Sequence, residues 1–172
     1  DARVFCFEPN KDNFELLKEN IKLNSFEGRI FPFNVAVCGE SGKRKLFLSE
    51  GKTGGHSFYR ESERHVVVEC ITLKEIFERN KIDVCDYMKI DCEGGEYDIL
   101  LNAPDECLKR IRFICMETHV SKEHSIDEIK ERLRKAGMKV FIDRRYEEMM
   151  YAVNPELMEK EVFESVKVFK PE

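Results

Sequence analysis

Three carboxylate side chains stand close together in the middle of the chain. Asp91, Glu93 and Glu96 fall within six residues and flank two adjacent glycines. Carboxylates that lie close together resist ionising at the same time, so either the pKa of one carboxyl group rises or a cation lies nearby. Candidates for that cation are Lys89, a positively charged group of a ligand and a divalent metal ion. An ordinary turn that places Glu96 in the first turn of a helix is the alternative. Because a structural turn seldom needs so many acids, and glycines permit close backbone approach by a ligand, the cluster predicts a functional site.

His119 is a candidate proton acceptor. It stands two residues after Glu117, directly beyond an apolar run that predicts a strand. Imidazole titrates near neutral pH and takes a proton from a hydroxyl group when a carboxylate orients it. A solvated surface histidine is the alternative, and the residue types alone leave both interpretations open.

Glu8 ends the first apolar run of the chain and precedes Pro9. An acid at the end of an early strand is typical of nucleotide-binding sheets, where the carboxylate accepts hydrogen bonds from both ribose hydroxyls. The alternative is an acid attracted to the positive N-terminus of the helix that follows. Glu8 is therefore a candidate ligand-binding residue, with both interpretations open.

Apolar runs alternating with amphipathic segments must position these residues. The runs predict strands over 3–8, 29–37 (bent or at an edge near Pro32), 45–49, 65–71, 86–91 and 112–117, and a closing pair over 138–142 and 149–153. Helices with their caps are predicted over 10–24, 72–80, 95–102 and 125–137. Six residues join the last two strands, too few for a parallel crossover, so that pair is antiparallel. The fold class is therefore α/β, with an open, mostly parallel sheet, a C-terminal antiparallel hairpin strand and ligands at the carboxyl ends of the strands.

Composition limits the class of protein. The 172 residues make about one domain, and an apolar share of 42% is too high for a disordered chain. With 29 basic and 34 acidic side chains the net charge is −5, which argues against a nucleic-acid binder that relies on a basic face. The seven cysteines lack C-x-x-C spacing, and no apolar run reaches the ~18 residues of a membrane span. We expect a soluble, cytoplasmic protein in a reducing compartment, with no membrane partner.

Several segments together resemble a known family. In order they are VFCFEPNKDNFELLKENIKLN, NVAVCGESG, the TL helix opening at 72–73, YMKIDCEGGEYDIL and ICMETH, spread over roughly residues 3–153. The pattern is similar to the FkbM-type family of S-adenosylmethionine-dependent methyltransferases, most specifically at KIDCEGGE (89–96), which matches K-I-D-x-E-G-x-E, and next at FEP (7–9). The resemblance implies a class I, Rossmann-like fold that transfers a methyl group from S-adenosylmethionine to a hydroxyl oxygen.

The resemblance also implies roles for single residues. Glu8 would hold the ribose of the cofactor, in agreement with the interpretation from its position. The adenine would be flanked by four residues near two strand ends: Pro9, Asn10, Ala36 and Val37. Asp91 would lie near the methionine part of the cofactor, where its charge favours the sulfonium cation. Glu93, Glu96 and His119 would line the acceptor side, with His119 or one acid as the general base, and no metal ligand is assigned.

Proteins of this family begin with a strand that ends in a glycine-rich turn close to G-x-G-x-x-G. That element would precede Asp1, and in the expected sheet it lies centrally, between the strands at 3–8 and 86–91. Its loss would leave two rows of unpaired backbone groups in the core, each costing about 1–3 kcal/mol. We therefore expect residues 1–172 to be a single methyltransferase domain that is N-terminally incomplete and part of a longer chain.

Two alternatives to a small-molecule O-methyltransferase use the same scaffold. The E-P-N…L-K-E-N-I-K-L-N stretch also resembles some transfer-RNA methyltransferases, but those carry an acid after the third strand and an N-P-P-like motif after the fourth. The chain instead has VCG at 37–39 and DCE at 91–93, and it is net acidic. A non-catalytic module that binds a nucleotide or a partner is the second alternative. We expect S-adenosylmethionine as cofactor, a hydroxyl acceptor such as a sugar as partner, and no nucleic acid.

Overall fold

A computed structural model describes residues 2–50, 54–142 and 149–159. The chain forms two compact units, Asp1–Thr72 and Leu73–Glu172, and each is described by itself. Both units combine helices with short sheets, so the fold is mixed α/β, as predicted. The single, N-terminally incomplete domain expected from the sequence stays a prediction.

The first unit opens with a strand, a helix and a second strand. β1 (Val4–Phe7) runs parallel to β2 (Ile30–Phe33), and α1 (Lys11–Leu23) connects them. Asn10 is the N-cap of α1, as predicted, because its side chain accepts hydrogen bonds from backbone N–H groups of the first turn. The continuous apolar run of β1 predicts a strand covered on both faces, but in the described structure β1 is only partly buried.

A second sheet of the first unit contains β3 (Ala36–Val37), β4 (Gly42–Phe47) and β5 (His65–Ile71), in the order β3-β5-β4. β5 is parallel to β3 and antiparallel to β4. The single strand predicted over 29–37 is wrong, since β2 and β3 belong to different sheets. The chain changes sheet at Asn34, whose side-chain amide donates to two backbone carbonyl groups that follow β1. The core of this sheet consists of Ala36, Cys38, Leu46, Val68 and Cys70.

The second unit contains a four-stranded sheet. Its strands are β6 (Met88–Ile90), β7 (Phe113–Glu117), β8 (Lys139–Ile142) and β9 (Met149–Val153), in the order β6-β7-β9-β8. β6 and β7 are parallel, whereas β9 is antiparallel to both β7 and β8. The predicted C-terminal antiparallel pair is therefore confirmed, while the residues that join it, 143–148, lie outside the described chain.

Helices cover this sheet. They are α2 (Leu73–Arg79), α3 (Gly95–Asn102), α4 (Asp105–Leu108) and α5 (Ile126–Lys135). α5 begins with the predicted capping box, in which the Ser125 N–H donates to Glu128 Oε2 over 2.6 Å. α4 has no counterpart among the predicted helices. The apolar core beneath the helices includes the fully buried side chains of Leu100, Leu108, Ile111, Met116, Ile129 and Leu133.

The described strand pairs are mixed rather than mostly parallel. Three pairs are parallel and three are antiparallel, because β4 reverses onto β5 and β9 inserts between β7 and β8. After β9 the described chain contains a 3-10 turn over Pro155–Leu157, and residues 160–172 lie outside the described chain. No helix in the described ranges is long and apolar enough to span a bilayer.

Candidate functional site

The carboxyl ends of β6 and β7 bring two acids together. Ile90 pairs with Met116 in the parallel register, so the next residues, Asp91 and Glu117, leave neighbouring strands at the same level. Side chains at the same level of neighbouring strands project to the same face of a sheet. Lys89 Nζ lies 3.4 Å from Asp91 Oδ2, in a pair that is largely solvent-exposed. The carboxyl edge of this sheet is therefore acidic, as the sequence predicted, and Glu117 adds to its charge.

The segment between β6 and α3 is a tight turn with two left-handed residues. Glu93 has φ +53°, and Gly94, the N-cap of α3, has φ +103°. Glycine adopts a positive φ freely, whereas a residue with a Cβ does so at a conformational cost. A Cβ on Gly95 would lie 3.2 Å from Cys92 Sγ. The sequence predicted that a ligand approaches these glycines closely, but at Gly95 the close neighbour is the Cys92 side chain.

Glu96 is fully buried and joins the turn to the end of β7. Its Oε2 accepts a hydrogen bond from the Gly94 N–H at 3.0 Å. Its Oε1 accepts a hydrogen bond from the His119 N–H at 2.7 Å and lies 3.1 Å from His119 Nδ1. A carboxylate that is 0% exposed, with both oxygens engaged, has no surface to offer a substrate. Glu96 therefore orients His119 rather than lining the acceptor side as the resemblance implied.

His119 follows β7 and directs its ring into the acidic cluster. We assign the Nδ1–H tautomer from the contact with Glu96, so Nε2 carries the lone pair. Nε2 lies 3.8 Å from Glu93 Oε2 and 3.9 Å from Glu117 Oε1. The Tyr97 hydroxyl donates to the His119 carbonyl oxygen at 2.9 Å, and burial raises the pKa of Tyr97, which keeps that donor protonated. Both the ring and the backbone of His119 are thus held in place.

The arrangement is a carboxylate–imidazole pair with further acids beside it. A buried carboxylate on Nδ1 stabilises an imidazolium, so Nε2 is suited to accept a proton. The structure brings Glu93 and His119 together and places Asp91 within reach of the same group. The three catalytic candidates from the sequence therefore meet at one edge of one sheet.

Glu8, the candidate cofactor residue, stands at the carboxyl end of β1 in the first unit. Its Oε1 accepts a hydrogen bond from the Asn10 N–H at 2.7 Å, and its backbone carbonyl accepts one from the Asn34 side chain at 2.8 Å. Burial raises the pKa of the Glu8 carboxyl, and the Asn10 hydrogen bond and the nearby His56 lower it by less. The carboxylate is thus fixed and half-buried, and it has acceptor capacity beyond the Asn10 N–H. That chemistry fits an acceptor of hydrogen bonds from ribose hydroxyls.

The four residues implied for the adenine also lie in the first unit. Asn10 is buried, and its side-chain oxygen is engaged in capping α1. Ala36 is buried in the core of the second sheet, while Pro9 and Val37 are partly buried. Their contact with a cofactor stays a prediction.

Comparison with known proteins decides the family. A family model described as "Methyltransferase FkbM domain" matches residues 2–140. The chain belongs to this family. This FkbM domain is similar to the hexuronic acid methyltransferase AglP of Haloferax volcanii, with 28% identity over 119 residues. The match covers 69% of the chain and 48% of AglP, so the chain spans about half the length of that curated relative. No solved structure matches the chain significantly.

Three residues that support the site of this FkbM domain were not identified from the sequence: Glu117, Asn34 and Tyr97. From the sequence Glu117 is only a neighbour of His119. It ends the strand that follows the Asp91 strand, and the pairing of these two strands is the signal that could have identified it. Asn34 and Tyr97 act through side-chain hydrogen bonds to distant backbone carbonyls. No local sequence pattern predicts such contacts, because the partners are brought near only by folding.

Proposed function

We propose that the FkbM domain transfers a methyl group from S-adenosylmethionine to a hydroxyl oxygen of a sugar or a similar small molecule. The observation that carries this proposal is the His119 imidazole, held by the buried Glu96 carboxylate at the carboxyl end of the sheet. Methylation of a hydroxyl needs a proton acceptor, because a neutral hydroxyl oxygen is a weak nucleophile. The similarity to a hexuronic acid methyltransferase favours a sugar acceptor.

Residues of both units have the chemistry that the cofactor requires. S-adenosylmethionine supplies a methyl group bonded to a positively charged sulfur atom. Glu8 would accept hydrogen bonds from its ribose hydroxyls, because the carboxylate is fixed and retains acceptor capacity. Asp91 would place a negative charge near the sulfur. The adenine would be flanked by residues at the ends of β1 and β3: Pro9, Asn10, Ala36 and Val37.

Two groups of the second unit would take the hydroxyl proton. His119 Nε2 carries a lone pair, and Glu93 Oε2 lies 3.8 Å away, so an acceptor hydroxyl beside them has a base on either side. Glu96 does not take this proton; it keeps the ring in place and stabilises an imidazolium charge. Glu93, in the turn before α3, and His119, after β7, would align the acceptor oxygen and remove its proton.

We also propose that the sheets belong to a Rossmann-like, mostly parallel arrangement and that the protein is cytoplasmic. The parallel pairs β1–β2, β3–β5 and β6–β7 support the first proposal. None of the seven cysteines, all within the described residues, forms a disulfide, as expected of a reducing compartment, which supports the second.

Calorimetric titration of S-adenosylmethionine into the protein tests the cofactor assignment. We expect binding that weakens by roughly 10–100-fold in Glu8→Gln, since a hydrogen bond to a charged group contributes about 1.5–3 kcal/mol. The control is Glu27→Gln, which changes an exposed acid of the same unit and should leave the affinity unchanged.

Transfer of a labelled methyl group to hexuronic acids, neutral sugars and RNA tests the acceptor class. We expect label on a sugar hydroxyl. Label on RNA would overturn the sugar assignment and favour the RNA methyltransferase alternative. No transfer to any acceptor, together with no cofactor binding, would favour the non-catalytic module.

A further inference from the structure

Three side chains at the carboxyl edge of β6 and β7 form a set of metal-ligating type. Asp91, Glu117 and His119 each offer one oxygen or nitrogen atom, and these atoms lie within 4.8 Å of one another. Ligands that share one divalent cation at about 2.0–2.2 Å lie roughly 3–4 Å apart, so a small side-chain rotation closes the set. The Asp91 and Glu117 carboxylates are 46% and 36% exposed, which leaves them room for that rotation.

The orientation of the imidazole is an independent observation that points to a cation. Glu96, fully buried, accepts from His119 Nδ1, so Nε2 is left with its lone pair. Nε2 lies 3.8 and 3.9 Å from carboxylate oxygens of Glu93 and Glu117, distances too long for a direct hydrogen bond. Acceptor groups that face one another repel unless a positive charge lies between them. Metal-bound histidines almost always donate their other ring N–H to a carboxylate or carbonyl group, which is the arrangement that Glu96 provides.

We infer that Asp91, Glu117 and His119 bind a divalent cation, with Glu96 as the outer residue that positions the imidazole. Two carboxylate oxygens and one imidazole nitrogen on one side suit an octahedral ion such as Mn²⁺, with three positions left for water or acceptor oxygens. Lys89 contacts Asp91 from an exposed position, so the ion displaces a weak surface pair.

The site deepens the proposed function and rests on it for its role in the reaction. A cation that binds the acceptor hydroxyl lowers the pKa of that hydroxyl and fixes its position. A sugar supplies neighbouring oxygen atoms that can occupy two of the open positions. In the metal-bound state His119 is a ligand, so the hydroxyl proton passes to Glu93, the other base of the proposed function.

The test is a titration of Mn²⁺ into protein freed of metal, followed by electron paramagnetic resonance. We expect one bound Mn²⁺ per chain, an imidazole nitrogen coupling that disappears in His119→Gln, and at least tenfold weaker binding in Asp91→Asn and Glu117→Gln. Glu96→Gln should weaken binding by roughly 10–100-fold, as outer residues do. The control is Glu123→Gln, an exposed acid in the segment after His119, which should bind Mn²⁺ like the wild type. Circular dichroism melts identify any variant that fails to fold.

The outcomes separate this site from the proposed function. Mn²⁺ binding that is absent, shows no nitrogen coupling, or does not respond to the Asp91 and Glu117 substitutions overturns the metal site. Methyl transfer that is undiminished in a chelator overturns its role in the reaction while the proposed function stands. Mn²⁺ bound with nitrogen coupling in a protein that neither binds S-adenosylmethionine nor transfers a methyl group supports the site and overturns the function.

Discussion

Replacing Glu96 by glutamine probes the buried carboxylate that joins the turn to His119. The amide keeps the shape of the side chain but exchanges one acceptor oxygen for an NH2 donor. Whichever way the amide turns, its NH2 group faces the Gly94 N–H on one side or the His119 N–H on the other. One N–H group then loses its partner, which costs about 1–3 kcal/mol of unfolding free energy. At this chain length each kcal/mol corresponds to roughly 2–4 °C in Tm.

The same substitution alters the chemistry of the imidazole. With the NH2 group toward His119, Nδ1 becomes the acceptor and the ring hydrogen moves to Nε2. Nε2 then has no lone pair for a proton or a cation. We expect methyl transfer to fall by roughly 10²–10⁴-fold, the usual contribution of a general acid–base group, which is far more than the loss of stability explains.

Urea unfolding followed by circular dichroism measures the stability, and ¹⁵N chemical shifts of the His119 ring measure the tautomer. The matched control is Glu131→Gln, which breaks an exposed contact of 3.7 Å to Lys135 and should change the unfolding free energy by less than about 1 kcal/mol. An unchanged tautomer together with wild-type stability in Glu96→Gln would refute the assignment of Glu96 as the residue that orients His119.

Three further predictions concern other parts of the molecule. Because burial raises the pKa of Glu8, cofactor affinity should begin to fall at a higher pH than for an exposed glutamate as the solution is acidified. Calorimetry across a pH series should show that decline in the wild type and not in Glu8→Gln. Gly94→Ala should lower the unfolding free energy by about 1–2 kcal/mol, because φ is +103° there, and a urea midpoint equal to that of wild type would contradict this. Ser125→Ala should cost about 0.5–2 kcal/mol by removing the cap of α5, measured by thermal unfolding, with Ser125→Thr retaining most of the stability.

Helices and strands whose own residues carry a clear pattern, such as a capping side chain or a run of β-branched residues, could be located from the sequence. The helix after Asn10 has a capping side chain and an apolar face, and the strand predicted over 65–71 matches β5, because β-branched residues fill it. The division of 29–37 into two strands could not be predicted. The break coincides with Asn34, whose side-chain amide donates to carbonyl groups 25 and 26 residues away, and strand patterns carry no information about such a contact.

The acids of the site show the same limit. The spacing of Asp91, Glu93 and Glu96 correctly predicted a cluster, yet it could not tell which acid is buried. Glu96 differs from Glu93 because it lies in the first turn of α3, beneath a segment that begins 23 residues later at His119. Burial and hydrogen-bond partners of this kind follow from tertiary packing, which residue types do not encode locally.

The two oxygens of Glu96 hold two amide hydrogens that belong to distant parts of the chain. Neither the Gly94 N–H nor the His119 N–H can exchange with deuterium from solvent while that carboxylate stays in place. A single swing of one side chain exposes both, so the two amides should exchange with a common rate, as a unit that opens together. The turn and the end of β7 should therefore open at the same rate, and the His119 ring should keep its orientation until that opening occurs.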